Sequence, residues 1–189
     1  MKHIIKIIIA VTGASGSVYA RRLIHKLCEY KGQIGEIALI LSETGQQVWD
    51  YELGEGLPGY DILKQYDNAN LFAPMASGSA GYHAMVVIPC SVGTMGRIAS
   101  GVGNDLITRS ADVMLKERKP LILVVREAPY GLIHIENMRR ITLAGGTIYP
   151  ASPSFYSKPG GIDELVDTVV DRIVGMLGFD ADGYRWGSH

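Results

Sequence analysis

Cysteine is scarce. Cys28 and Cys90 are the two in 189 residues, which gives no disulfide scaffold and no CxxC site. A reducing compartment, the cytoplasm, is the expectation. An excess of charge of either sign is also missing: 18 Lys and Arg stand against 19 Asp and Glu, a formal net charge of -1. Bulk composition therefore points to neither nucleic acid nor an anionic membrane surface. No long apolar run exists either. Ile4, Ile5, Ile7, Ile8 and Ile9 are interrupted by Lys6 and end at a glycine-rich turn. That is far short of a membrane span, and it reads as a buried strand, not a leader peptide. His3, His25, His83, His134 and His189 lack metal-ligand spacing, so no metal is expected. There is no GxSxG elbow, which counts against an α/β-hydrolase. No GxGxxG fingerprint follows the first strand, which weakens a nicotinamide reading.

What remains is an ordinary globular composition, with 47% hydrophobic and 20% charged residues. Length suits one domain over 1–189, with 178–189 as a C-terminal tail. Apolar runs alternate with amphipathic stretches. Strands are expected over 4–11, 37–41, 84–89, 121–125 and 147–149. Helices are expected over 17–30, 44–51, 94–100, 104–118, 132–144 and 162–177, with Asn104 as an N-cap. Residues 53–82 read as loop with short helical pieces, a length that often marks function. The alternation predicts an α/β, Rossmann-like three-layer sandwich with a mostly parallel sheet. Ligands of such sheets bind beyond the carboxyl ends of the strands, which directs attention to 12–17, 42–43, 89–94, 126–127 and 150–156.

Gly13-Ala14-Ser15-Gly16 follows the first strand and opens a helix. Such a turn offers backbone N–H groups to a phosphate; it also serves as a plain strand–helix connection. Ser42 stands at the second strand end, where a ribose-binding acid would be expected in a dinucleotide site, and a mononucleotide such as FMN fits better. Ala76-Ser77-Gly78-Ser79 and Cys90-Ser91-Val92-Gly93-Thr94 are two further hydroxyl-rich turns, suited to a second phosphate, to flavin edge atoms, or to ordinary turn chemistry. Arg126 and Glu127 end the fourth strand. The first can clamp a phosphate and the second can move a proton, or the two form a structural pair. Tyr156 follows the fifth strand, and Arg172 lies at the edge of the last helix's apolar stripe.

Taken together, Thr12–Gly16, Ala76–Ser79, Pro89–Thr94, Asn104-Asp105-Leu106, Ala111-Asp112-Val113 and Leu115-Lys116-Glu117-Arg118 resemble the UbiX-type flavin prenyltransferases. So do Arg126-Glu127-Ala128-Pro129, Ile133-His134-Ile135-Glu136-Asn137-Met138, Pro153 with Phe155-Tyr156, and Arg185-Trp186-Gly187. The resemblance spans nearly the whole chain and is strongest from 75 to 175. It implies a homododecamer with active sites between subunits. It also implies an FMN cradle of Gly13, Ala14, Ser15, Ser42, Ser91, Val92, Gly93, Thr94 and Arg126. Tyr156, Arg172 and Lys116 would hold the phosphate of dimethylallyl phosphate, Lys116 across a subunit interface. Trp186 would lie near the prenyl group, and the hydroxyls of Ser77 and Ser79 are added as candidate substrate contacts. Glu127 and Glu52 match active-site glutamates, and Ser15 matches a serine close to the flavin.

The implied reaction attaches the dimethylallyl group to N5 and C6 of reduced FMN without a metal. Its product, prenylated FMN, would serve a UbiD-type decarboxylase. Lys116, Tyr156 and Arg172 would stabilise the departing phosphate, and Glu127 would shuttle the proton. Two alternatives belong to other classes: an FMN-dependent decarboxylase of the Cys-decarboxylase group, and a non-catalytic FMN carrier. The pair Tyr156 and Arg172 argues against the first.

Overall fold

The computed structural model describes residues 4–181, 183, 184 and 187. Its first strand, β1 (Ile5–Val11), is the isoleucine-rich segment. It is followed by α1 (Ser17–Cys28), β2 (Ile34–Leu41), α2 (Glu43–Leu53), β3 (Leu63–Asp67), β4 (Ala84–Cys90), α3 (Val92–Ala99) and α4 (Leu106–Lys116). The chain continues through β5 (Leu121–Val125), α5 (Leu132–Leu143), β6 (Thr147–Pro150) and α6 (Ile162–Met176). The strands form one six-stranded sheet in the order β3-β2-β1-β4-β5-β6, and every pairing is parallel.

A parallel sheet is covered on both faces, and strand side chains alternate between them. Ile7, Ile9 and Val11 of β1 pack with Leu23, Ile24 and Leu27 of α1, Trp49 of α2, and Val169, Val170 and Ile173 of α6. Ile8 and Ala10 face the other way, towards Met95 of α3, Ile107 and Met114 of α4, and Ile141 of α5. The α/β three-layer arrangement predicted from the sequence is therefore the one observed.

Two expectations need correction. The sheet has six strands, because β3 lies inside the stretch read as loop. Leu63-Lys64-Gln65-Tyr66-Asp67 is short, polar and on the sheet edge. Edge strands have one neighbour and no need for apolar side chains on both faces, so the usual signal is missing. The N-cap of α4 is Asp105, not Asn104. The Asp105 carboxylate accepts from Thr108 N–H at 2.8 Å, and Asp105 N–H donates to the Thr108 hydroxyl at 3.4 Å. Both residues can cap, and only the Asp–Thr reciprocity distinguishes them. Among the described residues, no helix is long and apolar enough to cross a membrane.

Candidate active site

Winding reverses between β1 and β4. The chain leaves β1 through α1 towards β2, and leaves β4 through α3 and α4 towards β5. The two departing loops diverge and open a crevice at the carboxyl edge, the place where such sheets bind ligands. Thr12 joins these loops. Its N–H and its hydroxyl both donate to Pro89 C=O, at 3.2 and 2.8 Å, and its hydroxyl oxygen accepts from Ser91 N–H at 2.8 Å. Sequence reasoning passed over Thr12 as a site residue; a hydroxyl at a buried strand end was the available signal.

The two helix starts beside this crevice differ. At α1, the N–H groups of Gly16 and Ser17 donate to the Glu52 carboxylate, at 2.9 and 2.8 Å. Burial pushes the Glu52 carboxyl up. The Ser15 hydroxyl and the Gly16 and Ser17 N–H groups outweigh burial and hold it below the usual carboxylate range. At the start of α1, where the sequence suggested a phosphate, an internal carboxylate satisfies these two donors, as the positive end of a helix favours. Gly13, Ala14 and Ser15 still line the crevice as the turn that Glu52 holds.

At α3, Ser91 is the N-cap, and its Oγ accepts from Thr94 N–H at 3.3 Å. The Ser91 and Thr94 hydroxyl oxygens lie 3.1 Å apart. Among the described residues, the first-turn N–H groups of Val92 and Gly93 meet no side-chain acceptor. A Cβ built on Gly93 would meet nothing within 4 Å. This helix start is open, with donors and space for an anion. Arg126 reaches across from the end of β5, and its Nε donates to Ser15 C=O at 3.1 Å. Glu127 Oε1 accepts from Ala128 N–H at 3.0 Å. Cys90, at the end of β4, is fully buried, and burial pushes its thiol up to about 12. It is no nucleophile there.

Ser42 caps α2, accepting from Gly45 N–H at 3.0 Å. It also lines a cavity of about 720 Å³ with Glu43, Gln46, Asn68, Asn104 and Asp105. That polar cavity, at the ends of β2 and β3, was not foreseen because β3 was not.

Tyr156 follows β6 on the segment leading to α6, and Arg172 lies on α6 itself. Ala151 N–H donates to Val125 C=O at 2.9 Å, so the segment carrying Tyr156 leaves beside the strand end carrying Arg126. Ser154 N–H donates to the Thr168 hydroxyl at 3.0 Å, docking this segment on α6. Arg172 lines a cavity of about 830 Å³ with Ser154, Ser157, Thr168 and Tyr184. Tyr184 stacks on Tyr156. Trp186 lies outside the described residues.

Lys116, Ser77 and Ser79 are not part of this arrangement within one chain. The start of α4 is tied to the end of β3, with Leu106 N–H donating to Asn68 C=O at 2.8 Å. Its 11 residues then carry Lys116 roughly 16 Å away, to the amino edge of the sheet. There Lys116 pairs with Glu117 at 3.3 Å, and the Glu117 carboxylate covers Gly78 between Ser77 and Ser79. Ser77 and Ser79 stand on the loop that precedes β4, whereas the crevice follows it. Among the described residues, no group of three or more His, Cys, Asp or Glu side chains is placed to hold a metal ion.

A doubly wound sheet with an open, hydroxyl-lined helix start at its switch point defines a nucleotide-binding α/β protein. The Flavoprotein family profile matches residues 1–177. Flavin prenyltransferase UbiX of Methanocaldococcus jannaschii is 39% identical over 188 residues, covering 97% of this chain and 99% of that protein. A crystal structure of AnUbiX (PadA1) with FMN and dimethylallyl pyrophosphate superposes with a TM-score of 0.90 at 35% identity, covering 99% of this chain and 100% of the other. A dodecameric FMN-dependent UbiX-like decarboxylase from Escherichia coli O157:H7 gives 0.87 at 32% identity, covering 96% and 99%. The chain belongs to the Flavoprotein family and, within it, to the flavin prenyltransferase UbiX group.

Proposed function

We propose that this protein is a metal-independent flavin prenyltransferase. It joins the dimethylallyl group of dimethylallyl phosphate to N5 and C6 of reduced FMN. The observation that carries the reading is the contrast at the crevice: one helix start is closed by Glu52, and the other, at Ser91–Thr94, is open beside Arg126. A flavin phosphate fits the open one, with Val92 and Gly93 N–H groups as donors and Arg126 as counter-charge. Gly13, Ala14, Ser15 and Ser42 would line the rest of the cradle. The relative crystallised with both FMN and a dimethylallyl donor supports the pairing of the two ligands in one site.

Bound reduced flavin supplies the electron-rich ring atoms that accept the prenyl carbons. The protein's own groups do the rest. Arg172 and Tyr156 bind the donor phosphate and stabilise it as the C–O bond breaks, an electrostatic contribution of the oxyanion-hole kind. Lys116 adds a second cation from a neighbouring subunit, in a homododecamer like that of the Escherichia coli relative. Glu127 takes the proton released on ring closure. Glu52 stays ionised and fixes the Ser15 turn. Trp186 would offer an aromatic face to the allylic cation. Prenylated FMN then passes to a UbiD-type decarboxylase. The two buried, free cysteines suit the cytoplasm.

The test is anaerobic incubation of the purified protein with reduced FMN and either dimethylallyl phosphate or the diphosphate, followed by mass spectrometry of the flavin. A flavin heavier by one C5 unit is the expected result, with the monophosphate preferred. Unchanged flavin, tightly bound, would overturn the reading. Release of CO2 from an added cinnamic or cysteine-like acid would replace it with a decarboxylase like the Escherichia coli relative.

A further inference from the structure

We propose that Tyr184 is a positioning residue for the prenyl donor: its ring backs Tyr156 and fixes where the Tyr156 hydroxyl meets the donor phosphate. The inference rests on the prenyltransferase reading above and deepens it. The two rings lie 6.5 Å apart between centroids and 13° from parallel, within the range of offset stacking. Tyr156 is 68% exposed and stands on a segment without secondary structure. A tyrosine so placed must be ordered when it grips a ligand, and ordering it beforehand removes that cost from binding.

The tail is built to provide this support. Phe179 is 8% exposed and packs in the core, its ring 4.7 Å from that of Tyr30. The Tyr30 hydroxyl donates to Asp180 C=O. Gly183 then runs against α6 so closely that a Cβ there would lie 2.6 Å from Asp171 Cβ. Asp171 cannot retreat, because Lys26 of α1 pairs with it. Arg22 and Lys26 also pair with Asp167 one turn earlier, Lys26 at 3.2 Å. The tail thus has a fixed wall on one side and delivers Tyr184 to the rim of the Arg172 cavity. The Tyr184 ring is what stacks on Tyr156, so phenylalanine at 184 should keep that contact.

Steady-state prenylation by the full chain, at saturating reduced FMN and varied dimethylallyl phosphate, decides the matter. Tyr184→Ala is expected to raise KM for the donor roughly three- to tenfold, the worth of a stacked aromatic pair. Flavin affinity and kcat should stay near those of the unaltered protein. Tyr184→Phe should restore KM. Gly183→Val, which moves the tail and keeps the ring, should reproduce the KM rise. An unchanged KM in Tyr184→Ala overturns the inference. So does a parallel loss of flavin affinity and kcat, which would mark a general structural role. Tyr184→Phe as impaired as Tyr184→Ala would make the hydroxyl a direct ligand, and overturns it too. No prenylated flavin from the unaltered protein would sink the proposed function itself. An active enzyme with a silent Tyr184→Ala sinks this inference alone.

Discussion

Two loops leave the sheet side by side, and their helix starts have opposite fates. Gly13–Gly16 leads into α1, whose first N–H groups are closed by Glu52; Cys90–Thr94 leads into α3, whose first N–H groups stay open. Both are short, glycine-containing and hydroxyl-rich. The difference comes from a third element, α2, whose last turn places a carboxylate over the first loop. A helix start attracts an anion, and the protein supplies its own at one and leaves the other open. Glycine-rich turns are therefore distinguished by what packs above them, not by their composition.

The largest effect should come from a residue in neither loop. Glu127→Gln is expected to lower turnover by about 100-fold or more, the usual worth of a general acid–base group, with FMN binding intact. Single-turnover mass spectrometry and flavin titration together check this. Full activity in Glu127→Gln would move the chemistry back towards the loops. Next comes a direct reversal of the comparison. Gly93→Asp would give α3 the internal carboxylate that α1 has, at a position with room for it. FMN affinity should fall roughly 10- to 100-fold, the loss of one charge-assisted contact, while Tm stays level. Undiminished affinity would place the flavin phosphate elsewhere. Third, Thr12→Val cuts the join between the loops. Leaving Ser91 N–H unpartnered in a buried site should cost about 1–3 kcal/mol, read as a lowered urea midpoint, and FMN affinity should drop with it. If stability falls and affinity does not, the loops are set independently.

Much of this was legible in the residues. Continuous apolar runs gave β1 and β5, and the 3.6-residue pattern gave α6, each within a residue or so, and the parallel sheet followed from their alternation. β3 was not legible, since Lys64, Gln65 and Asp67 make an edge strand that needs only one neighbour. The site was legible by address and not by occupancy. Ser91–Thr94 and Arg126 stand at the carboxyl ends of β4 and β5, beside the switch point, and Glu127 follows them in the chain. That Glu52 would close the start of α1 depends on how α2 lies, 36 residues along the chain from Gly16. No local pattern carries that. Ser77 and Ser79 illustrate the same limit: a turn suited to phosphate was read correctly as a turn, and its end of the sheet could not be assigned without knowing which edge precedes β4.

The smallest effect concerns that closure. Glu52 is held below the usual carboxylate range, so the folded state binds its proton less readily than the unfolded chain does. Such a group adds stability above the unfolded value, near pH 4.3, and loses that contribution as pH falls through the folded value. In Glu52→Gln the amide oxygen can still accept a hydrogen bond but carries no charge and does not titrate. At neutral pH the variant should be less stable by about 1 kcal/mol, the scale of a helix-cap interaction. As pH is lowered from 6 to 3 the gap should narrow, so the unaltered protein shows the steeper fall in Tm. Calorimetry across that range checks it. Parallel curves would mean that the carboxylate does not hold α1, and the first loop would then be as open to a ligand's phosphate as the second.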